Sequence, residues 1–153
     1  MNRIAPLLPA SNVAVGLDAS NKRDLFASVA GLFESGGGPR REVVVDALAA
    51  REKLGSTGLG QGIAIPHGRI KGLKDARGAF VRLAQPIPFD APDGRPVNQI
   101  FVLLVPEQAT EQHLELLSEL AQMFSERAFR DRMASAPDAQ AVWAAIRDWS
   151  PTS

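Results

Sequence analysis

The chain has 153 residues, with 17 basic and 17 acidic side chains, two histidines and no cysteine. Its length suits one domain with a real core, and 45% apolar against 22% charged residues is ordinary for a globular chain. Balanced charge excludes a general pull toward nucleic acid or anionic membrane. The absence of cysteine excludes disulfides, thiolate catalysis and Cys-ligated metal.

Residues 1–10 hold one cation, Arg3, and a short apolar patch broken by Pro6 and Pro9. That makes a poor signal peptide, and no apolar run approaches the roughly 18 residues of a membrane span, so the expected address is cytoplasmic without membrane insertion. Residues 12–15 read as a short strand. Ser20 is placed to cap a helix carrying Leu25, Phe26, Val29, Leu32 and Phe33 at three- and four-residue spacing. Gly36, Gly37 and Gly38 stop it, and Pro39 suits the first residue of a second helix, which carries Val43, Val44, Ala47 and Leu48.

Glycines crowd residues 55–62, which read as a loop. Residues 62–65 form a short strand that Pro66 ends, and a loop through Gly68 and Gly72 follows. Residues 79–84 alternate as a strand. Pro86, Pro88, Pro92 and Asp93-Gly94 mark a long turn. The β-branched run over 97–105 predicts a strand buried on both faces, ended by Pro106. Thr110 is placed to cap a helix with the stripe Leu114, Leu117, Leu120, Ala121 and Phe124. A break over 126–128, a short helix through Met133 and a last helix capped by Asp138 complete the chain. Layer logic turns this α/β (α+β) order into one domain with a mixed sheet and helices packed on it.

Scarcity narrows the chemistry. With two histidines and no cysteine, covalent or proton-transfer work near neutral pH falls to His67 and His113. In Ile63-Ala64-Ile65-Pro66-His67-Gly68 the residue before proline is driven extended and proline stops the ladder. His67 is therefore expected just past an apolar strand end, on a stiff mount, with Gly68 leaving its ring uncrowded. The preceding Gly55-Ser56-Thr57-Gly58-Leu59-Gly60-Gln61-Gly62 lets backbone N–H groups approach an anion, and Ser56 and Thr57 add hydroxyl donors. Arg51 supplies a cation suited to phosphate. Such a glycine loop also serves as a plain connector, and His113 reads equally as a surface histidine on an amphipathic helix.

Neutral imidazole attacks phosphorus without a general base, and phosphoryl transfer then needs only positioning and donors around three oxygens. A small domain with Arg51, His113 and backbone amides meets that need without a nucleotide pocket or any cofactor. Two histidines without a carboxylate partner make a poor zinc site, no metal is expected, and no G-x-S-x-G elbow supports a serine hydrolase.

The stretches Arg51-Glu52-Lys53-Leu54-Gly55-Ser56-Thr57-Gly58 and Gly62 to Gly68 resemble the IIA domains of the bacterial phosphotransferase system, mannitol/fructose type, and most of all its nitrogen-regulatory members. The resemblance continues through Phe89-Asp90-Ala91-Pro92-Asp93-Gly94-Arg95-Pro96-Val97, Leu103-Leu104-Val105-Pro106-Glu107 and His113-Leu114, and spans nearly the whole chain, with a domain core over about 5–149. It implies a mixed five-stranded sheet, phosphoryl acceptance at Nε2 of His67, and Arg51 and His113 flanking the phosphoryl group. It further implies an HPr-like phosphohistidine carrier of the nitrogen branch as donor, and potassium-transport regulators and sensor kinases as regulatory targets. Ser56 and Thr57 match the family loop. The alternative is the IIA phosphotransfer component of a fructose/mannitol-type permease; no permease or IIB segment accompanies the domain, which favours the regulatory phosphocarrier. Leu59, Ile63 and Ile70 are candidates for the donor's docking surface.

Overall fold

The computed structural model describes residues 2–108 and 110–151. Two short 3-10 turns precede strand β1 (Val13–Leu17), helices α1 (Lys22–Ser35) and α2 (Arg41–Glu52), and strands β2 (Gly58–Gly60), β3 (Ile63–Ala64), β4 (His67–Ile70), β5 (Arg77–Ile87) and β6 (Val97–Pro106). Helices α3 (Thr110–Ser125), α4 (Arg127–Ser135) and α5 (Ala139–Asp148) follow.

The sheet is mixed, as the layer argument required. Its order is β1-β5-β6-β3-β2, with β4 also paired to β6. β1 runs parallel to β5, β5 antiparallel to β6, and both β3 and β4 parallel to β6. Six segments fill five places because β3 and β4 lie end to end along β6. Ala64 sits opposite Ile100, His67 sits opposite Leu103, and the proline between them accepts the Leu103 N–H at 3.0 Å. Pro66 cannot donate in return, so the strand is broken there.

The buried run of β6 feeds two cores. Phe101, Leu103 and Val105 face α3, α4 and α5, meeting Leu116, Leu120 and Met123. Ile100, Val102 and Leu104 face α1 and α2, meeting Leu25, Phe33 and Leu48. Period-two alternation on a strand covered on both sides demands this division.

Local chemistry set most boundaries. Asp138 caps α5 by accepting the Ala141 N–H at 2.9 Å. At α1 the cap is Asn21, which accepts from Asp24 N–H at 2.9 Å, one residue after the expected Ser20. α2 begins at Arg41, two residues after Pro39. The cap expected from the Thr110 side chain lies outside what is described.

Two segments read as loops are strands. Residues 58–60 pair with β3 because Gly60, Gln61 and Gly62 take φ of +89°, +58° and +80° and fold β2 back sharply. Residues 67–70 gain a strand from β6, which supplies a complete ladder to a segment of weak intrinsic preference.

Candidate functional site

His67 opens β4, immediately after the strand break at Pro66. Its Nδ1 lies 2.8 Å from the Ile65 carbonyl oxygen. A carbonyl only accepts, so Nδ1 carries the proton and Nε2 is left with its lone pair. Arg51, in the last turn of α2, donates Nε–H to that Nε2 at 3.2 Å, while its Nη1 donates to the Gly55 carbonyl at 2.8 Å. Both contacts select the same tautomer.

Alternation along β4 places Gly68 and Ile70 inward and His67 and Arg69 on the opposite face. Gly68 permits the close approach of α2: a Cβ there would lie 3.0 Å from the Ala47 Cβ and 3.2 Å from the Ala47 carbonyl carbon. Arg51 stands one turn beyond Ala47, so this packing delivers its guanidinium to the ring.

His113, in the first turns of α3, comes from the other side of the sheet. Its ring centroid is 5.1 Å from that of His67, at an interplanar angle of 69°. It is 8% exposed, and its Nε2 has no hydrogen-bond partner among the described residues. Burial pushes its pKa down to about 4, and the His67 ring and the Arg69 and Arg51 cations push the same way. Burial also lowers the His67 pKa; the Ile65 hydrogen bond and Glu52 oppose that shift and Arg51 adds to it. Both rings are neutral at pH 7.

Of the predicted site residues, the structure brings Arg51, His67 and His113 together. It turns the two loop hydroxyls elsewhere. Ser56 Oγ donates to the Phe89 carbonyl at 2.6 Å, and Thr57 Oγ1 donates to Glu52 Oε1 at 2.7 Å. The loop amides are engaged as well: Thr57 N–H donates to Glu52 Oε2, Gly58 N–H to Ser56 Oγ and Gln61 N–H to Asp93 Oδ2. Glu52 also pairs with Lys22 at 2.8 Å, so the loop is a braced strut beside the ring.

Two open depressions meet at His67 and Arg51. One, of about 470 Å³, is shared with Leu54, Arg69 and His113; the other, of about 260 Å³, with Leu59, Ile65 and Leu117. Three large apolar side chains stand in water among the described residues: Leu54, Leu59 and Leu114. Leu54 and Leu59 line the two depressions, and Leu114 follows His113 in α3. Of the expected docking residues, Leu59 is among them, whereas Ile63 and Ile70 belong to the cores at 1% and 2% exposure. Leu54, Leu114 and Arg69 were missed. The signal for Arg69 was its two-residue spacing from His67, invisible once that segment was read as a loop.

Fold and site together define an α/β domain that offers an imidazole lone pair at the broken strand of its sheet, held against one guanidinium and a second neutral imidazole. The chain belongs to the family described as "Phosphoenolpyruvate-dependent sugar phosphotransferase system, EIIA 2", whose pattern matches residues 6–149. It is 41% identical over 155 residues to the nitrogen regulatory protein of Pseudomonas aeruginosa, covering 97% of each chain. The crystal structure of nitrogen regulatory protein IIA-Ntr from Neisseria meningitidis superposes with a TM-score of 0.89 at 47% identity, over 95% of this chain and 99% of that one. IIA mannitol from Escherichia coli shares the fold, with a TM-score of 0.75 at 22% identity over 90% and 97% of the two chains. Among the described residues no helix is long and apolar enough to cross a membrane, and no cluster of three acidic or histidine side chains is placed to hold a metal.

Proposed function

We propose that this chain is a cytoplasmic phosphocarrier and regulatory protein of the nitrogen branch of the phosphotransferase system. It accepts a phosphoryl group at Nε2 of His67 from a phosphohistidine carrier protein and acts on partners according to its phosphorylation state. The observation that carries the reading is the tautomer: Nδ1–H held on the Ile65 carbonyl, with the Nε2 lone pair facing the Arg51 guanidinium. An N–P bond forms at that Nε2 as the N–P bond to the carrier's imidazole breaks, and the carrier nitrogen keeps the electron pair. No general base is needed, because the attacking nitrogen holds no proton.

Arg51 donates to the Nε2 lone pair in the unphosphorylated chain, so its guanidinium would turn aside as phosphorus arrives and meet the phosphoryl oxygens, where its charge would offset theirs in the loose transition state. His113, neutral, would donate a ring N–H to a phosphoryl oxygen. Ser56 and Thr57 then serve by holding the loop rather than by touching the group. The exposed Leu54 and Leu59, which line the depressions at the ring, offer the donor an apolar landing face. The nitrogen-branch assignment is supported by relatives at 41% and 47% identity that are named nitrogen regulatory proteins.

The experiment is phosphoryl transfer from a charged nitrogen-branch carrier, read by intact mass spectrometry at alkaline pH. The wild-type chain should gain one phosphoryl group, His67→Ala none while keeping its circular dichroism, and Arg51→Ala should be slower by roughly 10–100-fold. Labelling of His67→Ala would overturn the acceptor. Faster charging by a sugar-branch carrier would favour the permease reading.

A further inference from the structure

A second concentration of charge lies far from His67. The turn between α1 and α2 and the turn between β4 and β5 enclose an open cleft of about 460 Å³. Four cations line it, Arg40, Lys71, Lys74 and Arg77, against one carboxylate, Asp75. Among the described residues none of the four has a carboxylate oxygen within 4.0 Å. In a chain whose basic and acidic residues balance at 17 each, this gathering of like charge is a local feature rather than a background.

The walls are built for access. Gly37 and Gly72 hold φ of +80° and +85°, and a Cβ on either would meet open space. Arg77 is half-buried, and its Nη1 would lie 3.3 Å from a Cβ on Gly38, so its guanidinium is packed on the glycine turn instead of trailing in water. The floor is apolar: Val43 and Leu73 are half-buried and Ile70 is buried. Three of the first amides of α2 are already used, Arg41 N–H by Glu34 Oε2 at 2.9 Å and Val43 and Val44 N–H by the Arg40 carbonyl. The charged donors of the cleft are its four side-chain cations.

We propose that this cleft is a second anion site, separate from His67, for a small phosphorylated metabolite carrying at least two negative charges and an apolar or aromatic body. Its volume lies in the range of roughly 300–1,000 Å³ that encloses such molecules, and a nucleoside diphosphate is a suitable size. The charges gather around one open cleft with an apolar base, where a nucleic acid would ask for an extended basic stripe. Arg40, on the rim, is 11 residues before Arg51, or about 16 Å along α2, so the two anion sites are not one.

The test is a titration of the uniformly nitrogen-15-labelled full chain with ADP, inorganic pyrophosphate and adenosine in separate arms, followed by amide shifts at constant ionic strength. ADP should move Gly37, Gly38, Gly72 and Leu73 saturably, and adenosine should not. Pyrophosphate moving the same amides assigns the recognition to phosphate, and its failure beside ADP adds the base. The exposed double substitution Lys71→Ala/Lys74→Ala should weaken ADP roughly tenfold, and Arg51→Ala should leave it unchanged. Shifts confined to residues around Arg51, His67 and His113, no saturable shift in the cleft, or equal affinity in the double variant would each overturn the proposal. Tighter binding of a short single-stranded oligonucleotide to the same amides would overturn the small-molecule class.

Discussion

The tautomer of His67 is set by two neighbours that agree. A carbonyl takes the proton on one side of the ring and a guanidinium faces the lone pair on the other. His113 shows the same economy of charge. Its folded pKa of about 4 lies below the ordinary 6.5, so as pH falls the unfolded chain takes up this proton first. The stability that His113 contributes is complete above pH 6.5 and is lost as pH drops from about 6.5 to about 4. We expect urea denaturation to show roughly 1–3 kcal/mol less of this loss in His113→Gln than in the wild-type chain. If His67 is the acceptor as proposed, its phosphorylation would place negative charge near that ring and should raise its titration midpoint by about one unit or more, read by ring-proton NMR. An unmoved midpoint would place the phosphoryl group away from His113.

At the scale of elements, the site depends on how α2 meets β4. Gly68→Ala forces a Cβ to 3.0 Å from Ala47, so helix and strand must part. The expected cost is about 1–3 kcal/mol in chemical denaturation, together with slower phosphoryl transfer, since Arg51 rides on the displaced helix. Glu52→Ala removes the acceptor of the Thr57 N–H and hydroxyl and the partner of Lys22. A loss of about 1–3 kcal/mol should follow, with faster amide hydrogen exchange across residues 55–58. Exchange unchanged in that loop would mean that Glu52 does not brace it. The glycines here were legible as turn formers but not as strand: Gly60 and Gly62 serve a left-handed reversal, and the amides of Thr57, Gly58 and Gln61 bond within the fold.

For the whole molecule, one strand organises both cores. Leu103 and Leu104 are adjacent and fully buried, yet face opposite helical layers. Leu103→Ala and Leu104→Ala should each cost about 2–5 kcal/mol, measured by denaturation at equilibrium. A near-neutral effect of either would mean that its layer adds little to cooperativity. The termini are tied into the same body: Asn2 donates to the Ile146 and Trp149 carbonyls at 2.8 and 2.7 Å, and Trp143 donates to the Leu8 carbonyl at 2.9 Å.

By itself the sequence determined the order of the helices and of strands β1, β3, β5 and β6, the doubly buried strand 97–105, the cap at Asp138 and the stiff mount of His67 after Pro66. Each follows from neighbours within a few residues: periodicity, a capping oxygen, a proline without an N–H. The motif resemblance added Arg51 and His113 as companions. Only the tertiary structure decided that β4 is a strand, that Ser56 and Thr57 point into the fold, that Leu54 and Leu114 stand in water, and that the cations on two distant turns share one cleft. Those outcomes depend on a ladder supplied by β6, on Glu52 and Phe89 reaching the loop, and on the packing of α2 over Gly68, contacts between segments that no local pattern encodes.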